Sequence, residues 1–534
     1  MKTLNKILSV ALTGLIMAGC NDLDTEFKGS YVTDKQKEEA SKADPTMTRA
    51  AVIGITSTFS SYQTVYSNHI DFGYPSVMLC LDSRGMDLVG YNTGYNWFNE
   101  PNEMDDANVS GYTPNLAWDH IYSQIFSANA LLAAQGTESD DPTIKFFLAQ
   151  AYGIRAFDYF QLAQIFQFTY VGHQSEPCVP IITQENATEM AAAGGAPRAT
   201  VEEVYTQILS DINAAITNLE AAADAGITPE SVIDSKSKRL LGVASAYGLR
   251  ARINLVMNKW ADAASDAQTA IAKFNGAPYS LQAASAPLNL SLEEKSWMWG
   301  IAIAETDRVV TSGIVNWPSH MGSLNYGYAQ VGAWRKINIK LFDAIQPTDA
   351  RKGWFLNENS ESPNLSASQM AYVEGYSMPA YTQVKFAPYQ NVLDQSTNAC
   401  DIPLMRIEEM YYINAEATAM AGNPAGAAQI LNDFVNTFRD PAYVCSATTA
   451  EEVQNEVWMQ RRVEFWGEGI SYFDLMRLKK GIDRRGGGWE AVWVYDIPAE
   501  SNVMRLPIPN SEVQANANLG ENNPSSEKPT PVAE

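Results

Sequence analysis

Apolar and small residues recur along this chain at steps of three and four, and the clearest run is Leu148, Ala151, Tyr152, Arg155, Ala156, Tyr159, Leu162, Ala163 and Phe166. That spacing places them on one face of a helix. The alanines in the stripe predict a second helix packed closely against it. The pattern returns twice as helix, short turn, helix. In the first copy Ala251 to Met257 lead through Asn258-Lys259-Trp260 to Ala263, Ala264, Ala267 and Ile271. In the second, Ala415 to Ala421 lead through Gly422-Asn423-Pro424 to Ala427, Ala428, Leu431 and Val435, a constant offset of 164 residues.

Helix pairs with small residues at the crossing resemble tetratricopeptide-type repeats, in which each pair buries its apolar face on its neighbours. They predict a mainly α body with helices over about 115–275 and 403–480. The spacing is too irregular for a free-standing array, because aromatic-rich inserts at about 62–114 and 276–400 interrupt it. The inserts carry turn residues such as Gly73-Tyr74-Pro75 and Asn92-Thr93-Gly94, and loops held on a rigid scaffold are where binding surfaces sit. Residues 523–534, rich in Pro, Ser, Glu and Lys, read as a disordered tail.

The start of the chain has its own pattern. Lys2 and Lys6 precede an apolar run from Ile7 to Met17, too short to span a bilayer as a helix. Met17-Ala18-Gly19-Cys20 resembles the bacterial lipobox, so residues 1–20 read as a lipoprotein signal and Cys20 as the lipidated new N-terminus of a single body over 21–534. The acidic stretch Asn21 to Glu26 resembles the surface-export signals of such lipoproteins. Later segments never reach eighteen consecutive apolar residues, which leaves lipid as the membrane attachment.

Composition narrows the ligand. Asp and Glu outnumber Lys and Arg by 61 to 37, and a net charge of -24 makes DNA, RNA and strongly anionic polymers poor candidates. Cys80, Cys178, Cys400 and Cys445 show no CxxC spacing; two disulfides or four buried thiols fit equally well. His69, His120, His173 and His320 lack a partner at helical metal spacing, and no metal or cofactor is assigned.

The segment Gln460 to Arg477 resembles the late signature of the SusD/RagB family, nutrient-binding lipoproteins of the Bacteroidetes surface. The matching positions are Arg461, Glu464, Glu468-Gly469, Asp474-Leu475 and Arg477; Gln460 and Ser471 depart from the family's usual Glu and Arg. Other family-like blocks follow in order: Trp118 to Leu132 with Ala128-Asn129, Arg155 to Phe160, Thr200 to Tyr205 with Asp211, Pro403 to Arg406 leading to Ala415-Glu416-Ala417, and Pro507-Ile508-Pro509 with Asn522. The resemblance implies a SusD-like fold, mainly α, with tetratricopeptide-like pairs supporting an irregular, loop-rich, ligand-binding half. It implies capture of oligosaccharide at the outer membrane for a SusC-like TonB-dependent transporter. A peptide-binding RagB-like protein, a surface glycoside hydrolase and a plain protein-binding scaffold are the alternatives.

For a hydrolase, Glu464 and Glu468 at i and i+4 are the obvious carboxylate pair. The adjacent arginines argue against it, since they hold both ionised where a general acid needs a raised pKa. The residues themselves predict Arg461 or Arg462 pairing with these carboxylates along one helix, with Phe465, Trp466, Tyr472 and Phe473 packing inward. Asp82-Ser83-Arg84-Gly85-Met86-Asp87 offers two further carboxylates for acid–base or calcium chemistry, but reads better as a polar loop with an Arg–Asp pair. For a glycan site the inserts supply two groups. Tyr91, Tyr95, Trp97 and Phe98 stand among Asn92, Asn96 and Asn99; Trp317, His320, Asn325, Tyr326 and Tyr328 stand in the other. Rings that stack on sugar C–H faces, with amides beside them for hydroxyls, suit that ligand. Any single ring is more often core than site.

Overall fold

The computed structural model describes residues 45–534 apart from Asp234; the signal segment, Cys20 and the acidic stretch behind it lie outside the described residues. We number the principal helices α1 Pro45–Ser57, α2 Tyr74–Arg84, α3 Tyr112–Gln135, α4 Pro142–Phe166, α5 Val201–Asp224, α6 Val243–Val256, α7 Trp260–Lys273, α8 Ala367–Gly375, α9 Ile407–Met420, α10 Pro424–Phe438, α11 Ala450–Glu464 and α12 Ser471–Arg477.

Local chemistry starts these helices. Asp141 accepts from the backbone N–H groups of Thr143 and Ile144 with Pro142 in the first turn of α4, and Thr200–Glu203 and Thr449–Glu452 close reciprocal capping boxes on α5 and α11. The α4 stripe was expected to bury one face. Instead every residue from Phe146 to Phe166 is buried, because α3, α5 and α1 flank the helix on several sides. The two alanine-lined pairs are α6–α7 and α9–α10. Their starts, Val243 against Ile407 and Trp260 against Pro424, keep the 164-residue offset (407 − 243 and 424 − 260). Ala263, Ala267 and Ala270 of α7 and Ala417 of α9 are wholly buried in one core cluster, which allows α7 to pack directly on α9, while Ala415 and Ala419 face the cluster shared with α10 and α11.

Polar residues of separate family-like blocks meet in this scaffold. Arg155 of α4 forks onto Asp211 of α5 at 2.6 and 2.8 Å and reaches Asn129 of α3 at 2.7 Å. Arg477 of α12 forks onto Glu416 of α9 at 2.6 and 2.8 Å. Such charge-assisted forks fix the register of neighbouring helices.

The sheets are small and join the inserts to one another and to the scaffold. β1 (Leu88–Val89) pairs antiparallel with β3 (Lys336–Ile337), Leu88 opposite Ile337 and Val89 opposite Lys336, so the first insert is stitched to the second. β2 (Trp297–Ile301) pairs with β4 (Ile402–Arg406), which feeds straight into α9; β5 (Ile482–Asp483) pairs with β6 (Asp496–Ile497).

Two expectations change. Residues 523–534 do not lie free: Asn523 is buried and donates to the carbonyls of Phe166 and Leu506, Ser526 N–H donates to Ala107, and Val532 N–H donates to Val494. A strand of polar residues without its own secondary structure is held by backbone bonds to the body. Cys80, Cys178, Cys400 and Cys445 are buried free thiols, which decides between the two readings of the cysteines. Among the described residues no helix is long and apolar enough to cross a membrane.

Candidate functional site

Because β1 pairs with β3, the chain leaving β1 through Gly90 and the chain entering β3 from 322–334 emerge side by side. Their rings meet. Trp97 packs on His69 with centroids 4.8 Å apart, and His69 in turn lies 5.8 Å from Tyr328 and hydrogen-bonds its hydroxyl through Nδ1. Tyr95 lies 6.4 Å from Tyr328. Tyr95 is 52% exposed and Tyr326 47%, while Trp97, Tyr91, His69 and Tyr328 are half-buried. The half-exposed rings of both inserts therefore form one platform.

A buried layer fixes its pitch. His320 is stacked between Tyr328, at 4.8 Å, and Phe72, at 5.5 Å, and its Nε2 donates to the His69 carbonyl at 3.0 Å. Burial first, and the nearby Arg335 guanidinium second, push the His320 imidazole well below its ordinary pKa, so it is neutral; burial lowers His69 as well. Arg335 donates to the His320 carbonyl at 2.9 Å and to Asn96 Oδ1 at 3.1 Å. Asn96 also donates to the Tyr91 carbonyl at 2.6 Å and accepts from Phe98 N–H, and Lys336 Nζ donates to the Tyr91 hydroxyl at 3.1 Å.

The expected site residues thus separate. Tyr91, Tyr95, Trp97, Tyr326 and Tyr328 reach the surface. Trp317, His320 and Asn96 do not: they are 2%, 0% and 5% exposed and offer no face to a ligand; His320 and Asn96 brace the platform from below, whereas Trp317 packs on Phe386 in the core. His69 was missed, read only as a histidine without a metal partner, although it follows Tyr62 and Tyr66 in the same aromatic insert. Trp334, 5.3 Å edge-on to Tyr91, was missed too. Apart from this platform, a concavity of about 780 Å³ runs along α3, lined by Trp118, Tyr122, Phe126, Met190 and Glu512; none of the expected ligand residues belongs to it.

The carboxylate pairs are not poised for acid–base chemistry. Glu464 is buried; desolvation alone would raise its pKa, but Arg439 and Arg406 hold it well below the carboxylate range. Arg351 completes the cage at 3.2 Å, and Glu468 is held by Arg406 and Lys385. The expected pairing along one helix is not formed. Arg461 turns to Asp474 and Arg462 to Asp87, since α11 ends at Glu464 and the chain turns through Gly467 and Gly469 at φ +76° and +75° before α12. At Gly469 a Cβ would sit 2.8 Å from Met78, so only glycine fits.

Asp82 to Asp87 is not a polar loop either. Arg84 pairs with Asp106 in the interior, and Asp82 Oδ2 accepts from Gly469 N–H at 2.9 Å. Its Oδ1 has no partner, and burial pushes its carboxyl up to about 8. Between the unfolded value near 3.9 and about 8, the folded state carries a proton that the unfolded state lacks, so Asp82 makes stability fall as pH rises through that window. Asp82→Asn keeps the acceptor and removes the titration. Urea unfolding of both proteins from about pH 5 to about pH 7.5 should show the parent losing about 1.4 kcal/mol per pH unit relative to the variant. Parallel pH profiles would sink this account.

Comparison with known proteins bears on the family and the fold. The SusD family model matches residues 333–525, and a model described as "Starch-binding associating with outer membrane" matches residues 79–236. The chain belongs to the SusD/RagB family. SusD-like proteins P38 and P2 of Formosa agariphila are 23% and 25% identical over 70% and 79% of this chain, and 74% and 81% of their own length. A SusD-like carbohydrate-binding protein from Bacteroides vulgatus superposes with TM-score 0.71 at 22% identity, covering 89% of this chain and 96% of that one. A SusD superfamily protein from Bacteroides thetaiotaomicron gives 0.70 at 21%, covering 89% and 99%. These likenesses establish the mainly α SusD-like fold.

Proposed function

We propose that this protein captures oligosaccharide at the outer-membrane surface and passes it to a SusC-like TonB-dependent transporter. The observation that carries the reading is the platform itself. Tyr95, Trp97, Tyr326 and Tyr328 reach the surface beside tyrosine hydroxyls and loop amides, and sugar rings present apolar C–H faces with hydroxyls at their edges. Its pitch is fixed by buried groups, which spares a ligand the cost of ordering the rings. The family description of starch binding at the outer membrane supports the same ligand class. Binding rather than hydrolysis is favoured because Glu464 and Glu468 are caged by arginine and lysine.

A panel of glycans in native gels, with reducing ends assayed in parallel, tests this. The protein should be retarded by at least one glycan without releasing product; new reducing ends would make it a hydrolase, and indifference to the whole panel would favour peptide. Trp97→Ala should weaken glycan affinity at least tenfold, about 1.4 kcal/mol, with little change in melting. Unchanged binding would move the site elsewhere, and Phe126→Ala in the α3 groove would be the next variant.

Anchoring rests on Cys20, with the body facing the medium. Cys20→Ala should leave the membrane pellet as soluble, folded protein, whereas the native chain, solubilised in mild detergent, should bring down a β-barrel transporter. A Cys20→Ala protein that still pellets at high salt, or a native chain recovered alone, would count against anchor and partner respectively.

A further inference from the structure

The platform has an electrostatic signature that its aromatic composition does not explain. Among the described residues, the buried arginines 84, 155, 351, 406, 439 and 461 each face a carboxylate. Arg484 has none but is satisfied by the carbonyls of Ser83, Arg84, Gly85, Asn102 and Trp493. Arg335 is different. It is 0% exposed, makes one bond to a carbonyl and one to an amide, and its Nη1 has no hydrogen-bond partner; beyond these the guanidinium has only the Phe98 ring, 5.6 Å from the centroid. The next residue, Lys336, is 8% exposed and also lacks a carboxylate; its Nζ spends one of three N–H donors on the Tyr91 hydroxyl and lies 4.7 Å from that ring's centroid.

Two adjacent cations thus stand uncompensated under and beside the platform, where His69 and His320 are neutral. Leaving buried charge unpaired is costly in a chain with 61 acidic residues to draw on. Resting on the glycan reading above, we infer that the sugar taken by this platform is acidic, carrying a carboxylate or sulfate group that faces Lys336 beside Tyr91. The net charge of -24 disfavours densely charged polymers, but exposed charges beyond about 8–10 Å are screened at physiological salt, so the local pair governs a sparsely charged oligosaccharide.

The full mature chain is tested for affinity against a highly methyl-esterified galacturonan, a sparsely sulfated galactan and neutral amylose, at low and high sodium chloride. One acidic glycan should bind more tightly than amylose, and the binding should weaken with salt; which of the two binds identifies carboxylate or sulfate. Lys336→Met should cost roughly fivefold on the acidic glycan, the size of a single ion pair, and flatten the salt dependence while melting no lower than the parent, because an uncompensated buried charge is removed. The salt response of the parent needs no variant, so a poorly folding Lys336→Met leaves the test intact. Amylose bound as well as the acidic glycans, with Trp97→Ala still weakening it, would overturn the acidic ligand while leaving glycan capture standing. Failure to bind any of the three, or any other glycan of the wider panel, would overturn both.

Discussion

Glu464→Gln is expected to destabilise the protein by about 3–5 kcal/mol, the cost of removing one partner from a buried ionic cluster. Glu464 Oε1 accepts from Arg406 and Arg439 at 2.9 Å, and Oε2 accepts from Arg439 at 2.7 Å and Arg351 at 3.2 Å, all with side chains at most 2% exposed. Glutamine keeps the shape but supplies one neutral acceptor and an N–H2 aimed at guanidinium donors. Arg439 retains Glu408 and Arg406 retains Glu468, which limits the loss, but the cluster keeps an uncompensated positive charge in a dry interior. Against a total of 5–15 kcal/mol for ordinary proteins, this is a large fraction. Urea unfolding reads it directly. A variant within about 1 kcal/mol of the parent would mean that the cage is not a unit of stability. A catalytic Glu464 would behave in the opposite way, losing a hydrolytic activity while keeping its stability.

The sequence made the scaffold legible wherever burial has a period. The alanine spacing of α6–α7 and α9–α10 follows from helix geometry, and the 164-residue offset read along the chain is kept by the helix starts. What the period could not convey was that α4 is enclosed all round, since a stripe reports the face that must be buried and is silent on polar residues such as Gln150 and Asp158 that are buried with it. The partners of Glu464 were illegible for a related reason. They lie 25, 58 and 113 residues away, whereas helical reasoning reaches only three or four. At the site, both ring-rich inserts were visible as composition, but an irregular loop has no inside–outside alternation. Nothing in the spacing separates exposed Tyr95 from Asn96, its buried neighbour, or Tyr326 from Trp317.

That last distinction gives the second large effect. Trp317→Ala should cost about 3–5 kcal/mol of stability, the usual range for emptying a buried tryptophan, while the protein that remains folded binds glycan as the parent does. Trp317 packs edge-on against Phe386 at 5.0 Å and borders a small void with Phe72, Pro75 and Ile402, so truncation enlarges an existing gap that the surrounding turns cannot close. Its indole Nε1 has no hydrogen-bond partner, and therefore the loss is one of packing and apolar burial rather than of polar contacts. Trp317→Phe, which restores most of the volume, should recover much of the stability. Trp97→Ala is the mirror image, poor in binding and near-native in melting, because its ring is only partly buried where it packs on His69. Comparing the two alanine variants by thermal melting and by affinity at a temperature where both are folded separates core from binding face. If Trp317→Ala melts with the parent and loses glycan, the ring must swing out to meet ligand, and the division between buried core and exposed platform drawn from this structure is wrong.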